Sequence, residues 1–196
     1  FGVDITTLSF NGNKTITSGG GGALIFNKKK YLNLAKLYSN NGRTGKIYSY
    51  NRIGFNYRMN NIQAAIGLAQ IRKINLFLKK KIFIRKFYNK NFQHLKKYVD
   101  FFPEKKNYLN ASWLSGFILK KGNSNLLRKY LVNKNIESRE FWQPISNQKP
   151  YLKSLRTTMQ VTNNLWNKII VLPSSTGISP KQLNKVKKSV INYFKK

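Results

Sequence analysis

The segment from Ile5 to Gly22 constrains this chain most, because a strand pattern, a tight turn, one lysine and four glycines follow one another there. Ile5, Leu8 and Phe10, interleaved with polar residues, read as a short strand, and Asn11-Gly12-Asn13 reads as a turn. Lys14 is thereby presented on a rigid turn, ahead of glycines Gly19–Gly22 that let the backbone approach a ligand closely. A lysine held in this way, partly desolvated, can form a Schiff base with an aldehyde cofactor. The glycines do not make a nucleotide-triphosphatase loop, because Gly12-Asn13-Lys14-Thr15 misplaces the lysine relative to G-x-x-x-x-G-K-[ST].

Beyond the glycines, Ala23–Phe26 is an apolar run expected to form a buried strand. Tyr31, Leu34, Ala35 and Tyr38 fall at helical spacing, and Asn40–Gly45 is a loop by composition. Asn60 or Asn61 can cap a helix whose apolar stripe begins Ile62, Ala65, Ile66, Ala69. That helix is expected to continue, bent, past Phe77, Ile84, Phe87 and Tyr88 towards Leu95, with Lys79-Lys80-Lys81 on its solvated face. After Pro103 the character changes. Trp113–Leu119, Ile136–Arg139 and Ile169–Leu172 read as strands, and Leu126, Leu127, Tyr130 and Leu131 mark a helix face. The last helix is specified by Ser179 as cap, Pro180 in the first turn and Gln182 three residues after the cap. Strands alternating with helices give an α/β class.

Charge bounds the function without naming it. The chain carries 37 basic and 5 acidic residues, a formal net charge of +32, which suits polyanionic partners. The basic residues are spread along the sequence, however, and 29 lysines stand against 8 arginines, whereas recognition surfaces favour the bidentate arginine. The accompanying excess of Asn, Ile, Tyr and Phe fits a compositional drift, so nucleic acid is not the expected partner. With no cysteine, disulfides and thiolate metal sites are excluded. His94, the single histidine, is expected on a helix surface, and no metal site is expected. No apolar run reaches the ~18 residues that span a bilayer, and the expected location is cytoplasmic, away from the membrane.

Ser9-Phe10-Asn11-Gly12-Asn13-Lys14, together with Gly19–Gly22, resembles the cofactor-lysine motif of the DegT/DnrJ/EryC1/StrS family of sugar aminotransferases. Two further blocks agree in order. The run from Gly54-Phe55-Asn56-Tyr57-Arg58-Met59-Asn60-Asn61 to Gln70 is similar to the motif that opens the family's long helix. Phe141-Trp142-Gln143-Pro144, Gln148-Lys149-Pro150-Tyr151 and Leu172-Pro173-Ser174-Ser175-Thr176 resemble its C-terminal signatures. The resemblance implies an α/β fold-type-I transferase dependent on pyridoxal phosphate, aspartate aminotransferase-like. Residues 1–98 would be the C-terminal part of the cofactor-binding large domain with its long linking helix, and 99–196 the small C-terminal α/β domain. The chain would then be the C-terminal half of such an enzyme.

By the same resemblance Lys14 is the cofactor lysine and proton carrier. Ser9 hydrogen-bonds the cofactor phosphate, and Asn56 reaches across a homodimer to the neighbouring subunit's phosphate, so that active sites are shared. Arg58 either structures its loop or meets substrate. Trp142 and Gln143 fall where the family lines its sugar-nucleotide pocket, with an aromatic core role for Trp142 as the alternative. Glu140 stands where the family commonly has proline. The implied reaction moves an amino group, with glutamate as donor, to a nucleotide-linked keto-deoxysugar in polysaccharide or glycan synthesis. The alternatives are an inactive remnant of such an enzyme and a basic polyanion-binding protein.

Overall fold

The computed structural model of the chain describes residues 2–45 and 47–195. It divides into two compact units, Phe1–Phe77 and Leu78–Lys196. In the first, β1 (Ile5–Ser9) and β2 (Gly22–Phe26) form an antiparallel ribbon, in register from Ile5 opposite Phe26 to Ser9 opposite Gly22. The strand expected at Ala23–Phe26 is therefore present, but it is not buried: Leu24 is 50% exposed. The sheet containing it has two strands, too few to enclose both faces of a ribbon.

Helix α1 (Lys29–Ser39) follows. Inside the expected loop Asn40–Gly45, the two-residue strand β3 (Arg43–Thr44) pairs with β4 (Ser49–Tyr50). Helix α2 (Asn61–Ile71) is capped by Asn60, whose Oδ1 accepts from the Gln63 amide at 2.8 Å, the side-chain capping that asparagine favours. The expected bent helix is two helices, interrupted at Arg72 and Lys73. Helix α3 (Ile74–Asn91) resumes the path, and a 3-10 turn (Gln93–Leu95) ends it.

The second unit is built on a four-stranded antiparallel sheet of order β5-β6-β8-β7, with β5 Val99–Phe101, β6 Ser115–Leu119, β7 Arg139–Glu140 and β8 Ile169–Leu172. Its core joins Ile84, Tyr88 and Phe92 from α3 and its end to Phe117 and Ile170 on the sheet. Helix α4 (Ser124–Val132) adds Leu127 and Leu131, and α6 (Pro180–Phe194) adds Leu183, Val186 and Val190. Rings at 5.8 Å link Tyr88, Phe92 and Phe117 in series, within the range of favourable aromatic pairs. The capping box of α6 forms as its sequence predicts: Gln182 N donates to Ser179 Oγ and Ser179 N to Gln182 Oε1.

Two expectations are corrected here. The strand read at Ile136–Arg139 lies at Arg139–Glu140. Asn135, at φ 54, turns the chain left-handed after α4, and the Ile136 amide returns to the Leu131 carbonyl at 3.0 Å, a helix-ending arrangement that uses Ile136 before pairing can start. Secondly, Lys81 is not on a solvated face but buried, 7% exposed. It falls three residues before Ile84 and seven before Tyr88, on the stripe that α3 turns into the core.

Candidate active site

The lysine loop is held by its own backbone. Lys14 N donates to Asn11 O at 3.0 Å, closing the turn read from Asn11-Gly12-Asn13. The Ser9 hydroxyl accepts from Asn11 N at 3.4 Å, and Asn11 Oδ1 accepts from Gly12 N at 2.7 Å. Across the loop, Ser18 N and Thr17 Oγ1 both donate to Phe10 O, and Phe10 N donates to Gly21 O. Ser9 and Lys14 are thus brought onto one braced hairpin end. Ser9 is exposed and Lys14 is half-buried.

Glycine is required at two places in this loop. A side chain at Gly22 would run into the Leu8 carbonyl, because β1 and β2 meet there. One at Gly21, whose φ is +73, would come within 3.1 Å of Met59 Cε. The glycine run therefore lies against the residues that lead into α2. Ser18, buried beneath it, was not singled out from the sequence; a Cβ at Gly67 of α2 would sit 3.5 Å from its own. A serine before a glycine run is the only signal it gives.

Asn56 and Arg58 lie together on the strand-like segment before α2. Asn56 forms an isolated antiparallel bridge with Asn40, flanked by bonds from Phe55 N to Tyr38 O and from Tyr57 N to Ser39 O. Arg58 Nη1 reaches Asn40 Oδ1 at 3.5 Å. Both side chains are exposed. An open concavity of about 410 Å³ lies in this unit, lined by Thr7, Leu8, Gly22 and Leu24 of the ribbon, by Ala35 of α1 and by Tyr57, among others.

Trp142 and Gln143 belong to the second unit. Trp142 stacks on Trp113 with centroids 5.7 Å apart, and Phe141 meets it edge-on at 4.8 Å. At 57% exposed, Trp142 is backed by an indole rather than enclosed in the core. Gln143 Nε2 donates to Asn147 O at 3.4 Å and its Oε1 accepts from Gln148. Glu140, the departure from proline, is accommodated: its Oε1 accepts from Arg128 Nε at 2.9 Å and Asn125 Nδ2 at 2.6 Å. Charge-assisted bonds of this kind satisfy a half-buried carboxylate.

Sequence reasoning missed Lys81. Its Nζ donates to Ser174 O at 2.7 Å and Trp113 O at 3.1 Å, and burial holds its pKa below the ordinary 10.5. Its place on the Ile84–Tyr88 stripe was the signal. His94 is exposed in the 3-10 turn. Among the described residues, no group of histidines and carboxylates is placed to hold a metal, and no helix is long and apolar enough to cross a membrane.

These elements are those of a fold-type-I, aspartate aminotransferase-like transferase. Helicobacter pylori PseC, described as an aminotransferase involved in the biosynthesis of pseudoaminic acid, superposes with a TM-score of 0.89 at 21% identity, over 98% of this chain and 54% of that one. The chain belongs to the DegT/DnrJ/EryC1/StrS aminotransferase family, whose profile matches residues 1–191. It is 32% identical to GDP-perosamine synthase of Vibrio cholerae over 97% of its own length and 53% of the relative's. It is 31% identical to EpsN of Bacillus subtilis (strain 168), provisionally named a pyridoxal phosphate-dependent aminotransferase, over 95% and 49%. The chain spans about half the length of these relatives. The matches favour neither a polyanion-binding protein nor an inactive remnant.

Proposed function

We propose that this chain serves a pyridoxal-phosphate-dependent aminotransferase that moves an amino group, with glutamate as donor, onto the keto group of a nucleotide-linked deoxysugar in polysaccharide or glycan synthesis. The braced loop that presents Lys14 beside Ser9 carries the reading. Family membership supports it, as does the name of a relative that includes a GDP-linked amino sugar.

The residues present fit the cofactor. Its aldehyde needs a primary amine, supplied by Lys14, and its phosphate needs hydrogen-bond donors, one of them supplied by Ser9. Gly21 and Gly22 keep side-chain bulk out of the loop beside them, where a Cβ would meet Met59 or the Leu8 carbonyl. Bound pyridoxal phosphate supplies an electron sink for the substrate carbon. Lys14 Nζ would hold the aldehyde and would serve as the base and acid that moves the proton at that carbon. The Ser9 hydroxyl orients the phosphate without adding charge.

In this reading Asn56 donates its side-chain amide to the phosphate of the other subunit in a homodimer, and Arg58, already bonded to Asn40, steadies the segment that presents it. Trp142 and Gln143 line the sugar-nucleotide pocket. The net charge of +32 raises the local concentration of a diphosphate-bearing substrate. A nucleotide-linked substrate fits a cytoplasmic enzyme.

Borohydride reduction of the intact protein in the presence of pyridoxal phosphate tests the lysine. Mass spectrometry is expected to find the adduct on the Lys14 peptide and to lose it in Lys14→Ala. An adduct on another lysine that survives this substitution removes the assignment. For the shared site, mixing Lys14→Ala with Asn56→Ala subunits is expected to restore activity, because one composite site then holds both residues. Verified heterodimers without turnover would exclude sharing.

A further inference from the structure

Lys81 is the exception on its stripe. Ile84, Tyr88, Phe92 and Leu95, which continue the same face, are all buried apolar or aromatic residues. Burying an ammonium among them costs desolvation, and among the described residues no carboxylate forms an ion pair with it. Its partners are two backbone carbonyls from distant parts of the chain.

The positions of those carbonyls follow from the sheet. Strands β6 and β8 are paired with Ser115 opposite Leu172. Extended by two residues, that register sets Trp113 opposite Ser174. Between them comes Pro173, which has no N–H to give the ladder, so strand pairing ends at Leu172. The Nζ of Lys81 then donates to the carbonyls of both Trp113 and Ser174. A neighbour about two turns further along α3 helps: Tyr88 Oη donates to Pro173 O at 2.7 Å. Helix α3 thus holds the two successive carbonyls, 173 and 174, where the ladder stops. Lys81 joins both strand ends through one atom, and the residue it holds on the β6 side is Trp113, the indole behind Trp142.

We infer that Lys81 is a positioning residue: it clamps the frayed end of the β6–β8 pair and so fixes the Trp113 backing on which the exposed indole of Trp142 is presented. That presentation matters for substrate only under the proposed function, on which this part of the inference rests. The clamp itself does not depend on it. Lys81 touches neither substrate nor cofactor in this account.

The test is a spectroscopic cycle on the intact protein. The circular dichroism difference between the parent and Trp142→Phe isolates the coupled indole pair, and the same difference is then taken in Lys81→Met and Lys81→Arg backgrounds. The pair signal is expected to fall about twofold or more in Lys81→Met, a coupling between sites that the cycle isolates, and to persist in Lys81→Arg, which keeps charge and donors. An unchanged pair signal in a folded Lys81→Met protein overturns the inference. If Lys81→Met does not fold, Lys81→Gln replaces it, and equal pair signals in the Gln and Arg variants overturn the inference instead. In steady-state assays with a nucleotide keto-sugar, Lys81→Met is expected to raise KM while kcat stays within about twofold, since uniform binding is what is lost. Absence of any turnover in the parent would defeat the functional reading and leave the spectroscopic result standing.

Discussion

Two ionisable side chains on one stripe of α3 are buried, and burial moves them in opposite directions. Desolvation lowers the pKa of Lys81 from 10.5 and raises that of Tyr88 from 10.0, each disfavouring the charged form. For Lys81 the unfolded chain keeps its proton up to about 10.5, while the folded chain loses it earlier, so the unfolded state binds more protons in that window. Stability therefore rises with pH there. A neutral amine still has two protons for the Trp113 and Ser174 carbonyls, so the gain comes without losing the clamp. For Tyr88 the unfolded phenol ionises from pH 10 upward while the folded one stays protonated, so its contribution falls above pH 10. Denaturant unfolding across alkaline pH is expected to show Lys81→Met losing the rising limb and Tyr88→Phe flattening the fall. A rising limb of unchanged size in Lys81→Met would assign it to other groups.

At the scale of elements, sequence and structure agree wherever a side chain spells the end of the element. Asn60 before α2, and Ser179, Pro180 and Gln182 at α6, announce their helices because capping is a local bond between neighbours in sequence. The turn that carries Lys14 was legible for the same reason, since Asn11-Gly12-Asn13 holds its own hydrogen bonds. What escaped was decided by distant partners. The start of β7 depends on how α4 ends at Asn135, and the bridge between Asn56 and Asn40 joins segments that have no shared local pattern. The Trp113–Trp142 stack likewise joins residues far apart in sequence. Lys81 was hidden by its neighbours: three successive lysines read as a charged face, yet helical spacing assigns each to a different side. Here periodicity, not composition, was the informative signal.

The whole molecule divides its apolar burial unevenly. Phe92, Phe117, Leu127, Leu131, Ile170 and Val190 are fully buried in the second unit, whereas among the described residues before Leu78 no hydrophobic side chain is buried. Leu24, Ile53, Phe55, Tyr57, Ile62 and Leu68 are each about half exposed or more. Burial contributes about 25 cal/mol per Å² of apolar surface, so the two units are expected to differ in local stability. In hydrogen exchange, amides of β6, β8, α4 and α6 are expected to be slow, and those of β1, β2 and α1 fast. The proposed homodimer adds a second expectation. Association stabilises what it covers by mass action, so exchange around Asn56 and the start of α2 should slow as protein concentration rises, while β6 and β8 stay unchanged. Equal protection of β1 and β6 at every concentration would refute the division in stability. Fast exchange near Asn56 that ignores concentration would count against a dimer built on that segment, and would leave the Lys14 loop to work within one subunit.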